Sequence, residues 1–279
     1  MTVEPNRDVS TERLRSSIVG LRFPPDDPAE QFHECSRWYP SLHPRETWGT
    51  RQLDVDPTLQ AQVQRSGKRA HHLPFVPLPD PKLPEVSLAA AIRARKSISE
   101  FSGDPIALVQ ASTLLHCAYG RLESHRRVVP SAGGLYSLEL FLLALRVDDL
   151  PQGAYRYETL EHGLERLPAV PGRSVRSAFV VPTDADRAAA LLVLAGVFWR
   201  ARFKYGTRGY RFVLLEAGHA AQNVLLAAST LELGAVPFGG FYDRPLDEIV
   251  MLDSVHESVL YAVLVGRADA DVGSECLLA

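Results

Sequence analysis

The stretch RFVLLEAGHAAQNVLLAASTLELG, residues 211–234, reads as one long helix. Leu214, Ala217, Ala221, Leu225 and Ala228 recur at three- and four-residue steps and share a face. The other faces are small or apolar, so the helix is expected to be buried, with Gly234 as its stop. A buried helix needs layers around it, and the flanking sequence supplies them. LELFLLALRV (138–147) and GAYRYE (153–158) have strand composition, with turn chemistry in VDDLPQG between them. LLVLAGVF (191–198) fits either a buried strand or a helix by period alone, and is taken as a strand; SVLYAVLVG (258–266) is a closing strand. Upstream, SLAAAIRARKS opens on the capping residue Ser87 and sets Leu88, Ala91, Ile92 and Arg95 on one side of a short helix. ALVQASTLLHCAYG continues the period through Leu108, Leu114 and Leu115 and stops at Gly120. Helices and strands do not alternate strictly, so the expected class is α+β.

Composition narrows the function classes. Of 279 residues, 46% are hydrophobic and 23% charged, and the net charge is −3, which argues against nucleic acid as the main partner. The basic cluster RFKYGTRGYRF (202–212) is then a local feature. The longest apolar run, residues 188–199, falls short of the ~20 residues that span a bilayer. Cys35, Cys117 and Cys276 are scattered and odd in number, so no disulfide framework is expected. The polar N-terminus lacks the apolar segment of a secretory signal, and the cytoplasm is the expected location. Residues 1–30 are expected to be loosely ordered, with PPDDPAE as a turn-rich end. LPFVPLPDPKLPEV (73–86) carries five prolines and reads as an extended strap on the surface, leading into the main domain at Ser87.

No Rossmann glycine fingerprint, P-loop or H-E-x-x-H is present. His33, Cys35 and His43 lack a fourth ligand, and no metal is expected; their segment, FHECSRWYPSLH, reads as aromatic packing. Three other segments can carry chemistry. In RARKSISEF (93–101), an extended exit from the helix points Arg95 and Ser97 the same way, able to converge on a phosphate; a solvated helix end fits equally. In VVPSAGGLYSLEL (128–140), Pro130, Ser131, Gly133 and Gly134 form a bend with free backbone N–H groups, or a plain loop. In GAVPFGGFYD (234–243), Gly239 and Gly240 let backbone approach a flat ligand, or simply turn the chain.

Together with GAYRYE, FKYGTRGYRFVLLEAGHAAQNVLLAA and LYAVLVG, these segments resemble, in order and spacing, the SagB-type thiazoline/oxazoline dehydrogenases of the nitroreductase superfamily. The resemblance covers about residues 87–267. It implies a nitroreductase-like α+β fold, a mainly antiparallel sheet flanked by helices, dimerising with FMN at the subunit interface. It sets an FMN-binding catalytic domain at 87–268, an N-terminal extension at 1–86 with the Pro-rich strap, and a tail at 269–279. Arg95 and Ser97 are then expected at the FMN phosphate and ribityl chain, with Arg267 as a second phosphate ligand. Residues 130–134 would lie along the flavin, and an N–H near Gly239 or Gly240 would approach its N5. Ser99 and Ser137 depart from the family pattern, which commonly has a basic residue and a proline there, and put the phosphate grip and the loop in doubt.

The activity so implied is oxidation of an azoline to an azole in peptide natural-product biosynthesis, with hydride going to FMN and dioxygen reoxidising it. Lys204 and Tyr205 inherit the proton-handling role, since neighbouring cations lower the cost of a neutral lysine or a tyrosinate. Arg208 and Arg211 are expected to pair with carboxylates such as Glu216, and His219 to be a hydrogen-bonded core residue. Tyr136 either lines the flavin or packs. No leader-peptide-binding domain is evident before Ser87, so a biosynthetic partner protein is an expected aid to substrate recognition. Two other readings stay open: an NAD(P)H-dependent nitroreductase-type enzyme, which needs no carbon base, and a flavin-free scaffold protein.

Overall fold

A computed structural model describes residues 27–38, 55–58, 72–122, 126–181 and 185–269. The chain divides into two units, Met1–Leu42 and His43–Ala279. In the first, helix α1 spans Pro28–Cys35. PPDDPAE therefore starts a helix where a turn was expected: Asp27 caps it through the Ala29 N–H at 2.8 Å, and Pro28 stands at the first turn, where its missing N–H costs nothing. The rest of residues 1–30, together with His43 and the tail from residue 270, lies outside the described residues.

Among its described residues the second unit has seven strands: β1 (Phe75–Pro77), β2 (Leu138–Ala144), β3 (Gly153–Glu158), β4 (Gly163–Arg166), β5 (Ala190–Val197), β6 (Gly234–Phe238) and β7 (Glu257–Gly266). They form one sheet in the order β1-β4-β3-β2-β5-β7-β6, antiparallel throughout. The ambiguous 191–198 run is the central strand, with every residue of β5 buried. Its two faces feed two cores, as the period of two requires. Leu192 and Leu194 join Leu140, Leu142 and Val263 on one side; Leu191 and Val193 join Phe141, Leu143 and Leu264 on the other. SVLYAVLVG closes the chain's strands in sequence but lies inside the sheet, between β5 and β6.

The helices of this unit are α2 (Leu88–Ala94), α3 (Leu108–Tyr119), α4 (Phe198–Tyr205), α5 (Arg208–Thr230) and α6 (Asp243–Ile249). The Ser87 hydroxyl caps α2 as expected, accepting from Ala90 N–H at 3.2 Å, but Leu88 and Ile92 are exposed and only Ala91 of that helix is buried. In α5 the buried face runs through Val213, Ala217, Ala220, Ala221, Val224 and Ala228, while Leu214 is 43% exposed, against the expected stripe. The helix stops at Thr230, four residues before Gly234, because Glu232 takes the left-handed turn (φ 57°). Gly234 instead opens β6, where a Cβ would stand 3.0 Å from Ile98 Cγ2. No described helix is long and apolar enough to cross a membrane.

The proline strap is extended and contributes the edge strand β1, paired with β4. It is fastened to α3 by Lys82 N–H to Thr113 Oγ1 (2.9 Å) and by the Ser112 hydroxyl to the Pro79 carbonyl (2.5 Å). His162 completes this latch, with Nε2 2.7 Å from Ser112 Oγ and Nδ1 2.8 Å from Tyr157 Oη. Since Ser112 donates to Pro79, the neutral ring donates from Nε2 to Ser112 and accepts the Tyr157 proton at Nδ1. Burial lowers the His162 pKa, with His116 opposing the charge further. A lowered folded pKa means the neutral form is favoured in the fold, so stability is full above the ordinary histidine range near pH 6.5 and falls as pH drops through it. His162→Asn keeps the left-handed backbone at this position (φ 50°) accessible. It is expected to cost about 1–2 kcal/mol at pH 7.5 and to flatten the stability loss between pH 7.5 and 5.5. Urea denaturation of both proteins across that range measures it, and equal falls would exclude His162 as the cause.

Candidate active site

The Lys204–Tyr205 pair stands at the end of α4, which leaves the buried end of β5 directly. Gly206 (φ 56°) turns the chain, and α5 starts two residues later. The two helices cross so closely that a Cβ on Gly209 would lie 2.6 Å from the Ala201 backbone, which is why the second glycine of KYGTRG is needed. Phe198 stacks on Tyr210 (4.7 Å between centroids) and Tyr205 meets Phe212 edge-on (5.0 Å), so both ends of the crossing are fixed. Lys204 Nζ lies 5.5 Å from the Tyr205 ring centroid.

The glycine bend at residues 130–134 comes to this pair. A Cβ built on Gly133 would stand 2.7 Å from Tyr205 Oη and 3.2 Å from Lys204 Nζ, so the two functional groups fill the space that a side chain there would need. Gly133 (φ 63°), Gly134 (φ 65°) and Tyr136 (φ 48°) are all left-handed, and for tyrosine that conformation is strained. The bend is held from beneath. The Ser131 hydroxyl accepts from Tyr136 N–H (2.9 Å) and donates to Glu216 Oε2 (2.6 Å). Tyr119 donates to Glu216 Oε1 and accepts from the Leu138 N–H at 3.1 Å. Arg127 lies over the Tyr119 ring (4.3 Å) and donates its backbone N–H to Tyr136 Oη (3.1 Å). Tyr136 is half-buried, packs against the core and is part of this network.

Glu216 is 3% exposed, and burial pushes its pKa up against the hydrogen bonds from Ser131, Tyr119 and the Ser137 backbone and the charge of Arg127. Tyr119 is pushed well above the usual phenol range by burial and by Glu216. The expected pairing of Glu216 with Arg208 or Arg211 is therefore corrected: its partners are Ser131, Tyr119 and the Ser137 backbone, with Arg127 nearby. His219 is also corrected, because it lies on the exposed side of α5. Burial raises the Tyr205 phenol, which disfavours the tyrosinate allowed for by the sequence. Ser137 is fully buried, and its hydroxyl has no hydrogen-bond partner among the described residues.

The remaining candidates form separate groups. Arg95 ends α2, and the chain then runs extended, with Ser97 and Ser99 exposed and Ile98 N–H bonded to Ala235 O (2.9 Å). Ser102 N–H to Arg267 O (2.9 Å) brings Arg267 to the same segment, and its Nε donates to Pro105 O (3.0 Å). Gly239 and Gly240 follow β6 at its far end, with Gly240 O accepting from Val180 N–H at 2.8 Å. A cavity of about 630 Å³, lined by Leu143, Ala154, Leu167 and Arg166 among others, lies at the opposite end of β2 from the glycine bend. No group of three or more metal-ligating side chains occurs among the described residues.

A family model for the nitroreductase family matches residues 92–267. A Methanocaldococcus jannaschii protein named as a nitroreductase is 34% identical over 189 residues, 67% of this chain and 94% of its own length. The microcin B17-processing protein McbC of Escherichia coli is 30% identical over 155 residues, 53% of this chain and 57% of that relative. Among solved structures, the E. coli microcin synthetase McbBCD complex with truncated pro-MccB17 bound contains a chain similar in fold. Its TM-score is 0.58 at 24% identity, covering 86% of this chain and 92% of that one.

The contact at Gly133 gives a direct test of the site's geometry. Gly133→Ala meets both a left-handed φ and the Tyr205 hydroxyl, and is expected to destabilise by about 1–3 kcal/mol. Gly239→Ala, whose Cβ meets nothing within 4 Å, is expected to stay within about 0.5 kcal/mol. Chemical denaturation of the two variants reads the difference, and equal effects would mean that Gly133 does not abut the pair.

Proposed function

The chain belongs to the nitroreductase family of oxidoreductases, and from that premise we propose that it is an FMN-dependent dehydrogenase converting a thiazoline or oxazoline of a peptide-derived intermediate to the azole. The observation that carries this reading is the Lys204–Tyr205 pair set against the Gly133 backbone. Removing hydrogen from carbon requires a base beside the electron acceptor, whereas reducing a nitro or quinone group does not. The likeness to McbC, a microcin B17-processing protein, supports a peptide as the source of the substrate.

Members of this family typically bind FMN, and the residues present suit it. Gly134 and Gly239 leave open backbone where a Cβ would meet nothing within 4 Å, as a flat ring requires. Arg95 and Ser97 on the extended exit of α2 would hold the phosphate and ribityl chain, with Arg267, bonded to Ser102 farther along that exit, as a second phosphate ligand and residues 130–134 and the Gly239–Gly240 backbone along the ring. Bound FMN supplies the two-electron acceptor, with dioxygen as the terminal oxidant. Lys204 Nζ would accept the proton from the α-carbon. Tyr205 keeps its own proton, since burial raises the phenol, and acts as a hydrogen-bond donor beside the amine. Leu88, Ile92, Leu214 and Leu215 are exposed on α2 and α5, apolar surface that a second copy would cover in a homodimer. A cytoplasmic setting and a biosynthetic partner protein complete the proposal; the McbBCD microcin synthetase, a complex with truncated pro-MccB17 bound, contains a chain of similar fold.

The greater likeness to the M. jannaschii protein favours a second reading, an NAD(P)H-dependent reductase of the nitroreductase type. A flavin-free scaffold is the third. Purified protein is expected to show the two visible absorption bands of oxidised flavin; a colourless protein that takes up no added FMN excludes both enzymatic readings. With an azoline peptide in air, Lys204→Ala is expected to lower turnover ~10²–10⁴-fold while retaining FMN. Unchanged turnover removes the base assignment. Rapid flavin reduction by NADPH in both proteins, with no azoline oxidation, establishes the reductase instead.

A further inference from the structure

We propose that Glu216 is the positioning residue of this site, locking the strained bend against Lys204 and Tyr205 through Ser131. The consequence for chemistry rests on the dehydrogenase reading; the lock itself does not. The geometry points to it because the contacts close a circuit. Glu216 projects from α5, and the start of the same helix, at Gly209, is packed on the α4 backbone that carries Lys204 and Tyr205. From Glu216 the circuit passes to Ser131 Oγ (2.6 Å), along the chain to Gly133, and from the Gly133 backbone back to Lys204 Nζ and Tyr205 Oη. Seven residues of helix, roughly 10 Å, separate the two arms, and Arg200 of α4 adds a second tie by donating to the Tyr136 carbonyl at 3.2 Å.

The hydrogen-bond chemistry makes Glu216 the terminus that orients the others. A serine hydroxyl has one proton, and Ser131 gives it to Oε2, which leaves its lone pair facing the Tyr136 N–H at 2.9 Å. That second bond holds the left-handed Tyr136 that the bend requires. Tyr119 gives its proton to Oε1, which leaves its oxygen to accept Leu138 N–H at the first residue of β2. One acceptor-only group thus sets the direction of two hydroxyls, and each hydroxyl fixes a backbone N–H, one in the bend and one where the bend enters the sheet. A carboxamide cannot do this, because it offers one acceptor oxygen where the carboxylate offers two. Every contact in the circuit is made by the chain's own residues, as a pre-organised bend requires.

The test uses the full chain and the variants Glu216→Gln, Ser131→Ala, Lys204→Ala and the pairwise doubles. Hydrogen–deuterium exchange of the ligand-free protein reads the lock directly: amides of residues 131–138 are expected to exchange at least about tenfold faster in Glu216→Gln and in Ser131→Ala, with the rest of α5 unchanged. The Ser131→Ala/Glu216→Gln double should be no faster than either single, because both cut one path. In azoline turnover with FMN bound, kcat is expected to fall about ten- to a hundredfold while KM stays within about twofold. Adding Glu216→Gln to Lys204→Ala should cause no further loss, since Glu216 acts through the pair. Unchanged exchange at 131–138 in both single variants overturns the lock. Faster exchange with unchanged kcat overturns the positioning role. If Lys204→Ala itself leaves turnover intact, or no azoline is oxidised, the dehydrogenase reading has failed, and the exchange result still decides the lock. Should Glu216→Gln fail to fold, Ser131→Ala alone decides, because it removes the link and leaves the carboxyl bonded to Tyr119.

Discussion

The structure around the Lys204–Tyr205 pair depends on one buried carboxylate. Glu216 sits in the middle of an apolar helix, where an ionisable group without partners would be strongly unfavourable. It receives hydrogen bonds from Ser131, Tyr119 and the Ser137 backbone, and the Arg127 guanidinium lies near enough to offset its charge. These partners come from the end of α3, the segment before the glycine bend, the bend itself and its exit into β2. Four pieces of chain that share one hydrophobic core through Tyr119, Val129, Leu138 and Ala217 are therefore also joined at one polar point. Leaving any donor unmatched at this depth would cost more than the bond itself contributes, which makes the junction close to all-or-none.

The layers of the fold were legible because they rest on local pattern. The run at 191–198 alternates between two cores although every residue is apolar, and its β-branched and leucine content fits a strand buried on both sides. Helix limits and faces were read less well. Gly234 suggested a stop, but Glu232 provides the left-handed residue and Gly234 instead sits tightly against Ile98, where a Cβ would stand 3.0 Å from Cγ2. Leu214 and His219 suited a core face by period and residue type, yet both are exposed; a helix that is apolar nearly all round does not reveal which side faces water.

The candidate site divides along similar lines. The glycine bend and the Lys-Tyr pair were visible as unusual local chemistry, and the structure places them in contact. Their support was not visible, because Tyr119 and Ser131 are 97 and 85 residues from Glu216 in sequence. A lone glutamate within LLEAG was the only signal, and it was matched to the nearby Arg208 and Arg211. Proximity in sequence was a poor guide there, because those arginines lie one and two turns away on the same helix while Glu216 points into the core. Ser137 shows the same point from the other side: its backbone N–H serves the carboxylate from 79 residues away in sequence.

Both borders of the seven-stranded sheet carry an imino acid. Pro77 ends the three-residue β1, and Pro237 stands within β6. Each removes an N–H donor from the row that would recruit another molecule's strand, and β1 is in any case too short to template one. The sheet is thereby protected from runaway edge-to-edge growth into fibrils. The exposed apolar side chains Leu88, Ile92, Leu214 and Leu215 lie instead on the helices α2 and α5.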